Sequence, residues 1–434
     1  MLRKTFAAAV LAFVLPLLPA CGTGGDVAEV RLVNASPDFA TLDLYAGGDL
    51  AVSGVPVNQA SAYAKVDTGT KLLDVHSGGT GTSAVSTTQT LSVDKHYSLI
   101  VYENGGTAPS QQFISDDEPA PTGDNAKFRV LNAASSQVAS VDVYLTTNAC
   151  GSLQPNDVAV ASAVTTLQDA FVEVAAATGA GKLYNVCATS TGNKQDVRLS
   201  VPSVAFIDGQ VNTLVLTTTT GGVLLNGLMV VQQGSVNAFV NTSARMRLVA
   251  DAALGAPVTA VANGTTLASA PTSPNIGTTY QTVTSGTLTL VATIGGTTIA
   301  VPTPTITPGL DYTLMITGTA ADPGVFLIPD DNTLSTDENN PVKIRLVNGV
   351  NGVGAPLSLS LDGSTIIGGV TFGTASTPVV TPATDGSSIE VDADTAVIWT
   401  AAGTVTLSEN RVYTVWALGD AGNTQLHTYL KPDR

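Results

Sequence analysis

The chain has 434 residues, only 12% of them charged, and a formal net charge of −16. Such an acidic surface repels nucleic-acid phosphates and anionic lipid, so it argues against nucleic-acid binding and favours a cation or a basic protein as partner. Thr, Val, Ala, Gly and Ser dominate the composition, and β-branched residues interrupted by Gly, Pro and Asn are typical of strands and turns. We therefore expect an all-β protein, and the length predicts several domains.

The first twenty residues have the organisation of an export signal. Arg3 and Lys4 precede the uncharged core FAAAVLAFVLPLL, and the small residue Ala20 precedes the expected cleavage point. This core is too short for a spanning helix, which needs about 20 apolar residues. The order Leu-Pro-Ala-Cys ending at Cys21 resembles the lipobox of bacterial lipoproteins, in which the cysteine receives a diacylglyceryl group and cleavage occurs just before it.

A lipidated Cys21 implies attachment to a membrane through acyl chains, more than one of which is needed for stable anchoring. By resemblance to lipoprotein sorting in Gram-negative bacteria, Gly22 after the cysteine indicates the outer membrane, with a periplasmic or a surface-exposed body. We expect a signal peptide over residues 1–20 and a tether over residues 21–28. The alternative is a secreted form in which Cys21 has no role.

Four later segments follow one plan: an apolar residue, an arginine, a short apolar run, a polar break and an alternating strand. They are VRLVNASPDFATLDLY, FRVLNAASSQVASVDVY, MRLVADAALGAPVTAV and IRLVNGVNGVGAPLSLSL, with equivalent arginines at Arg31, Arg129, Arg247 and Arg345. A second landmark, first seen as Tyr63 to Gly69, recurs at Tyr280 to Gly286, Val380 to Gly386 and, with two extra residues, Phe171 to Gly179. Closing strands begin near Tyr97, Thr213, Tyr312 and Tyr413. The shared order predicts four tandem modules.

Each repeat of roughly 90 to 120 residues, with about seven short alternating strands, is typical of an immunoglobulin-like antiparallel β-sandwich. The expected sandwiches are residues 29–114, 127–234, 245–328 and 342–434. Linkers are expected at 115–126, 235–244 and 329–341. We expect these modules to follow one another as beads on a string, forming a rod that reaches on the order of 100 Å from the membrane.

The first landmark, with Ser36-Pro37-Asp38 after its first strand, resembles the bacterial domain-of-unknown-function family 4397 (DUF4397). The resemblance spans nearly the whole mature chain and is closer in the first two modules than in the last two. It implies tandem β-sandwich modules of exported and cell-surface proteins. The family brings no catalytic residues that could be assigned to this sequence.

Two linkers are acidic. Their sequences, ISDDEPAPTGDNAK and IPDDNTLSTDENNP, combine carboxylates with Pro, which favours solvated, extended chain. Carboxylate and amide oxygens are also the ligands of Ca²⁺, which takes six to eight of them. The alternative to a plain linker is therefore calcium bound by Asp116, Asp117, Glu118, Asp330, Asp331, Asp337 and Glu338. Neither segment has EF-hand spacing, and no other metal or cofactor is predicted.

Cys150 and Cys187 are the remaining cysteines, both in the second repeat. An exported protein meets an oxidising compartment, so we expect a disulfide that adds a few kcal/mol of stability. Two free thiols or a reactive pair are the alternatives, although no CxxC spacing supports a reactive pair.

The other candidate residues fit structural roles. His76, His96 and His427 lack the local spacing of zinc ligands. The Gly78–Ser83 cluster lacks the G-x-S-x-G elbow of a serine hydrolase and predicts a hairpin turn. Trp399 and Trp416 would indicate sugar binding if both were exposed, but Trp416 lies in an alternating strand where core packing is expected. The repeated arginines are expected to point away from their cores or cap a sheet edge, with an ion pair to an acidic linker residue as one option.

These observations predict a non-enzymatic cell-envelope lipoprotein, a rod of sandwiches for adhesion, surface display or envelope scaffolding. Its partner would be a surface protein or polysaccharide. The alternative is a solute- or carbohydrate-binding receptor, or a hydrolase, with its site in the second module or between modules.

Overall fold

The computed structural model describes residues 26–103, 108–168, 170–219, 223–269, 271–337, 339–394, 396–401, 403–420 and 425–434. These residues form an all-β protein with two short 3₁₀ helices, Cys150–Ser152 and Ala253–Gly255. The expected signal peptide, residues 1–20, and Cys21 lie outside the described residues. Among the described residues, no helix has the length and apolar character needed to cross a membrane.

Module 1 consists of two facing sheets. Its strands are β1 (Val27–Asn34), β2 (Thr41–Ala46), β3 (Asp49–Pro56), β4 (Gln59–Ala60), β5 (Ala64–Asp67), β6 (Gly69–Ser77), β7 (Ser83–Leu91), β8 (His96–Tyr102) and β9 (Ser110–Ser115). The sheet that carries the repeated arginine, called the arginine sheet, has the order β4-β1-β8-β9, with β5 also paired to β1. The second sheet has the order β3-β2-β6-β7.

Module 2 repeats this arrangement and contains the 14-residue strand β15. They are β10 (Asn125–Asn132), β11 (Val141–Thr146), β12 (Ala161–Val164), β13 (Val172–Ala175), β14 (Lys182–Ser190), β15 (Asn193–Phe206), β16 (Val211–Thr218), β17 (Leu225–Val231) and β18 (Val236–Phe239). Its arginine sheet is β13-β10-β16-β17-β18, and its second sheet is β12-β11-β14-β15.

Module 3 contains several two-residue strands, in keeping with its Thr- and Ala-rich sequence. Its strands are β19 (Ser243–Ala252), β20 (Val258–Ala262), β21 (Thr265–Ala268), β22 (Asn275–Ile276), β23 (Gln281–Thr284), β24 (Gly286–Thr287), β25 (Leu290–Ile294), β26 (Thr297–Thr298), β27 (Thr305–Ile306), β28 (Asp311–Gly318) and β29 (Pro323–Asp330). Its arginine sheet is β22-β19-β28-β29, with β23 also paired to β19, and its second sheet is β21-β20-β25-β26. Strands β24 and β27 form a separate pair.

Module 4 has the same plan. Its strands are β30 (Val342–Asn351), β31 (Leu357–Leu361), β32 (Ser364–Val370), β33 (Thr374–Ala375), β34 (Val379–Thr381), β35 (Thr384–Ser387), β36 (Ile389–Ala393), β37 (Ala396–Thr400), β38 (Val405–Leu407), β39 (Arg411–Asp420) and β40 (Gln425–Pro432). Its arginine sheet is β33-β30-β39-β40, with β34 also paired to β30, and its second sheet is β32-β31-β36-β37. Strands β35 and β38 pair separately.

One pairing in every module is parallel rather than antiparallel, which corrects the expected wholly antiparallel sandwich. The strand that carries the repeated arginine pairs in parallel with the closing strand, as β1 with β8, β10 with β16, β19 with β28 and β30 with β39. Parallel neighbours need a long crossover connection. The strands of the second sheet lie between the arginine strand and the closing strand in the sequence, so the connection between these two parallel strands passes through the second sheet.

Each module encloses an apolar core between its two sheets. In module 1, the side chains of β2 alternate between the core and the outside, as expected of a half-buried strand. Leu42 and Leu44 are fully buried, whereas Thr41, Asp43 and Tyr45 are partly exposed. Burying a side chain of this size contributes about 1.5–3 kcal/mol. The alternation in the sequence therefore sets which face of each second sheet is turned inward.

The arginine sheets are buried on both faces. In β8, Leu99 and Val101 lie in the core of module 1, whereas Ile100 lies in a second cluster with Leu131, Val215 and Leu228 of module 2. A corresponding cluster joins modules 3 and 4 and contains Val249, Met315, Ile328, Val347, Trp416 and Leu418. The modules are therefore packed face to face as a first pair, modules 1 and 2, and a second pair, modules 3 and 4. This packing corrects the expected string of separate beads.

The segments that connect the modules are shorter than the sequence predicts. The expected linker at 235–244 contains β18, which extends the arginine sheet of module 2, and the start of β19. The expected linker at 329–341 begins inside β29, and β1 begins within the expected tether. The chain between modules is reduced to residues 116–124, 240–242 and 331–341, because edge pairing and interface packing take up the rest.

Candidate functional sites at the module interfaces

The four repeated arginines occupy equivalent positions in the arginine sheets. The parallel register places each one beside a hydroxyl residue of the closing strand. The arginine Nε donates to that hydroxyl at 2.6 Å in Arg31–Ser98, 3.1 Å in Arg129–Thr213, 2.9 Å in Arg247–Thr313 and 2.8 Å in Arg345–Thr414. Each guanidinium is thereby turned away from its own core and toward the partner module.

A carboxylate lies at the end of the last strand of three modules, at one equivalent position occupied by Asp116, Asp330 and Asp433. The hydroxyl beside each arginine donates to it, at 2.5 Å in Ser98–Asp116 and 2.6 Å in Thr313–Asp330, and likewise in Thr414–Asp433. In module 2 the position is held by Gln232. The ion pair between a repeated arginine and a carboxylate of an acidic linker is present, as Arg31–Asp116 and Arg345–Asp330. Both carboxylates are buried rather than solvated.

The interface of the second pair contains a four-charge cluster. Arg345 lies 2.5 Å from Asp330, and Arg247 lies 2.7 Å from Asp433, so each arginine reaches the carboxylate of the opposite module. The within-module distances are longer, 3.7 Å for Arg247–Asp330 and 3.5 Å for Arg345–Asp433. Burial alone would raise the pKa of Asp330, but Arg345 and Arg247 hold it below its ordinary value. The two arginines and two aspartates thus form a buried contact between modules 3 and 4 in which the four charges sum to zero.

The tyrosine of the second landmark completes this arrangement. Tyr280 donates to Asp330 at 2.6 Å, and Tyr63 donates to Asp116 at 2.5 Å. Burial raises the pKa of Tyr63, and Asp116 raises it further, so the phenol remains a proton donor. The guanidinium carbons of Arg31 and Arg247 lie 4.8 Å and 4.7 Å from these rings, a favourable cation–π distance.

The interface of the first pair is less symmetric. Arg31 lies 3.3 Å from Asp116 and donates across the interface to the carbonyls of Val231, at 3.0 Å, and Gly234, at 2.8 Å. Arg129 instead lies 4.3 Å from the ring of Phe171. Burial lowers the pKa of Arg129, while Asp116 and Glu118 partly oppose that effect. Because Gln232 replaces the second aspartate, this interface holds two arginines but one such carboxylate.

The other acidic residues considered for calcium are engaged by nearby donors. Asp117 lies 3.1 Å from His96, Glu118 lies 2.6 Å from Lys127, and Asp331 lies 2.6 Å from Lys343. Asp337 accepts a hydrogen bond from Asn340 at 2.7 Å, and Glu338 lies outside the described residues. Among the residues with assigned structure, no group of three or more His, Cys, Asp or Glu has the geometry to hold a metal.

The two cysteines of module 2 are bonded. The Sγ atoms of Cys150 and Cys187 are 2.04 Å apart. The bond joins the 3₁₀ helix to β14 and is buried among Tyr144, Leu153 and Val197. It therefore fastens the loop that makes module 2 longer than the others.

Removing this disulfide is expected to destabilise module 2 substantially. The cysteines are separated by 37 residues, and a loop of that size corresponds to about 4 kcal/mol of lost unfolded-state entropy. We expect Cys150→Ser combined with Cys187→Ser to lower the unfolding midpoint in denaturant. Dithiothreitol should lower the midpoint of the parent and leave that of the double variant unchanged. If neither the double substitution nor dithiothreitol lowered the midpoint, the disulfide would not have this stabilising role.

The remaining candidates lie apart from one another. His76 pairs with Asp74 at 2.8 Å, and His427 pairs with Asp251 at 3.0 Å. The Gly78–Ser83 cluster is the turn between β6 and β7. Trp416 is fully buried in the second-pair interface, whereas Trp399 packs partly buried against the core of module 4. The tryptophans therefore do not form an exposed pair for sugar stacking.

A cavity of about 910 Å³ lies where all four modules approach one another. Module 1 contributes Asp38 and Glu103, module 2 contributes Thr219, module 3 contributes Leu327, and module 4 contributes Thr377. Burial raises the pKa of Glu103, and the nearby Asp38 raises it further. The cavity thus combines apolar walls with an acidic side. No local pattern in the sequence predicts it, because its walls come from four separate repeats.

The fold and these interfaces define a protein built of β-sandwich modules that pack through buried arginine–aspartate contacts. Residues 28–144 match the model of a domain of unknown function, DUF4397. The matched segment contains nearly all of module 1 and continues into β11, so it includes Arg31, Asp116 and Arg129.

No curated protein matches the chain. Among solved structures, the chain is similar to the Bacillus anthracis TIE protein, with 7% sequence identity and a TM-score of 0.14. The alignment covers 68% of this chain and 50% of that chain.

Proposed function

We propose that the protein is a non-enzymatic cell-envelope lipoprotein that serves adhesion, surface display or envelope scaffolding. The pairing of the modules carries this proposal. The repeated arginines, aspartates and tyrosines hold modules together, so the most regular polar residues of the sequence serve assembly of the body. The loops at the ends of the sandwiches remain for contact with a surface protein or polysaccharide, as is usual for such folds.

The anchor in this proposal is a lipid on Cys21, with the outer membrane as destination. The Leu-Pro-Ala-Cys sequence and Gly22 support it. Strand β1 begins at Val27, six residues after Cys21, and six residues span at most about 20 Å. Module 1 would therefore be held close to the membrane surface. Modules 3 and 4 come later in the sequence and are not attached directly to the anchor.

Intact mass and cell fractionation of the native protein and of Cys21→Ser test the anchor, with Thr23→Ser as a control for signal cleavage. We expect acyl mass and membrane partitioning in the native and control forms, and a soluble form without acyl mass for Cys21→Ser. Surface protease treatment of whole cells then separates an exterior body from a periplasmic one. A native protein that is soluble and carries no acyl mass would refute the anchor.

The cavity between the four modules favours a second candidate, a solute- or carbohydrate-binding receptor. Its volume of about 910 Å³ lies within the range of small-molecule sites, about 300–1,000 Å³. Thr377→Trp would fill the cavity from an exposed lining position, and Thr371→Trp, exposed on the other side of β33 and outside the lining, is the control. A sugar or solute that stabilises the parent and the control but not Thr377→Trp would establish this function. Equal effects on all three would exclude the cavity as its site.

A further inference from the structure

A pocket of about 250 Å³ lies at the junction of modules 2, 3 and 4. Arg198 reaches it from β15, Arg245 from β19, and Arg434 from the segment after β40. Three guanidinium groups from three modules thus meet in one place, although their positions in the sequence are far apart. None of the three belongs to the set of repeated arginines.

Arg245 has its charge compensated in place. It donates through Nε and Nη2 to the two carboxylate oxygens of Asp311, at 2.8 Å and 2.6 Å. Its Nη1 lies 3.4 Å from Asp196. Asp311 is fully buried. This bidentate pair fixes one wall of the pocket.

Arg198 and Arg434 are less completely paired. Arg198 contacts Asp196 at 2.5 Å through Nη2, but its Nε is buried without a hydrogen-bond acceptor. Arg434 donates to the carbonyl of Asn332 at 3.0 Å, and no side-chain carboxylate of the described residues lies within 4.0 Å of its guanidinium. Arg434 therefore lines the pocket with N–H donors that a further acceptor would satisfy.

The wider cluster contains five arginine and four aspartate side chains. The contacts at this junction and in the adjoining second-pair interface involve the arginines at 198, 245, 247, 345 and 434, and the aspartates at 196, 311, 330 and 433. Burial lowers the pKa of Arg198 to about 10, with Arg245 adding to the effect. Burial likewise lowers the pKa of Arg434 to about 10, with Arg198 and Arg245 adding to it.

We propose that this pocket binds a small oxyanion of the sulfate or phosphate class between Arg198 and Arg434. Planar guanidinium groups present parallel N–H donors that match two oxygens of such a group. Asp196 and Asp433 also line the pocket, but both carboxylates are already engaged by arginines. The bound anion would supply negative charge between the two guanidinium groups and accept hydrogen bonds from their N–H groups that line the pocket. It would also join module 2 to module 4, at the boundary between the two pairs.

Isothermal titration of the mature chain with sodium sulfate or sodium phosphate, against sodium chloride at equal ionic strength, tests the site. We expect saturable binding of at least one of the two oxyanions by the parent. Arg198→Gln and Arg434→Gln should each weaken it at least tenfold. Arg411→Gln, which removes an exposed arginine at the start of β39, should bind as the parent does. Binding of sulfate alone would identify a sulfated source, and binding of phosphate alone a phosphorylated one.

Two results would overturn the site: heats from both oxyanions that match those from chloride, or unchanged affinity in Arg198→Gln and Arg434→Gln. Arg434 lies outside the strands, so its variant carries the test if Arg198→Gln fails to fold. The lipid anchor is measured separately by mass, so failure of the anion site leaves the proposed envelope function intact.

Discussion

Asp330→Ala is expected to lower the stability of the second module pair by about 3–5 kcal/mol, the usual cost of removing one partner of a buried ion pair. Asp330 is held by Arg345 at 2.5 Å and by hydrogen bonds from Thr313 and Tyr280, each at 2.6 Å. Its loss leaves positive charge without compensation in a space that water does not reach. The transition should be followed by fluorescence in a Trp399→Phe background, in which Trp416 at the same interface is the only tryptophan.

The adjacent Asp331 is a matched control. Its side chain is 46% exposed and pairs with Lys343, whereas the side chain of Asp330 is fully buried. Because water screens a half-exposed carboxylate, Asp331→Ala should shift the midpoint less than Asp330→Ala does. Because a protein of several modules need not unfold in two states, the comparison is between midpoints of the Trp416 transition. Similar shifts in the two variants would show that the four-charge cluster does not hold the second pair together.

Ile100→Asp is expected to separate modules 1 and 2 while leaving the core of module 1 in place. Ile100 is fully buried, but it lies in the cluster between the modules and not among the core residues of module 1. An unpaired carboxylate there is strongly unfavourable, and the chain relieves it by exposing the interface. We expect an increased radius of gyration in X-ray scattering and faster proteolysis within residues 117–124, with little change in strand content.

Val93→Asp is the control, because Val93 is 44% exposed in the turn before β8. Ile100→Ala gives a milder test, with an expected loss of about 2–5 kcal/mol. A radius and a cleavage rate equal to those of the parent in a folded Ile100→Asp variant would mean that the first pair is not held by this cluster.

The sequence predicted the all-β class and the repeated landmarks correctly, for reasons that are local. Alternation along strands such as β2 specifies which side chains face a core, and Arg31, Tyr63 and the closing strand keep their order in space. The same local patterns could not show what covers the other face of a sheet. A local signal was the continuous apolar run in closing strands, for example LIVY in β8, since strands buried on both faces lose alternation.

The sequence by itself determined the strand periodicity, the four arginine positions and the resemblance of the first repeat to DUF4397, because each depends on neighbouring residues or on repetition. Only the tertiary structure decided that the modules pair face to face and that Asp116 and Asp330 lie buried against arginines. It also decided that Arg198, Arg245 and Arg434 meet. Arg31 reaches the carbonyl of Gly234 across 203 positions of sequence. Such a contact follows from how whole sheets pack, a property that no local pattern encodes.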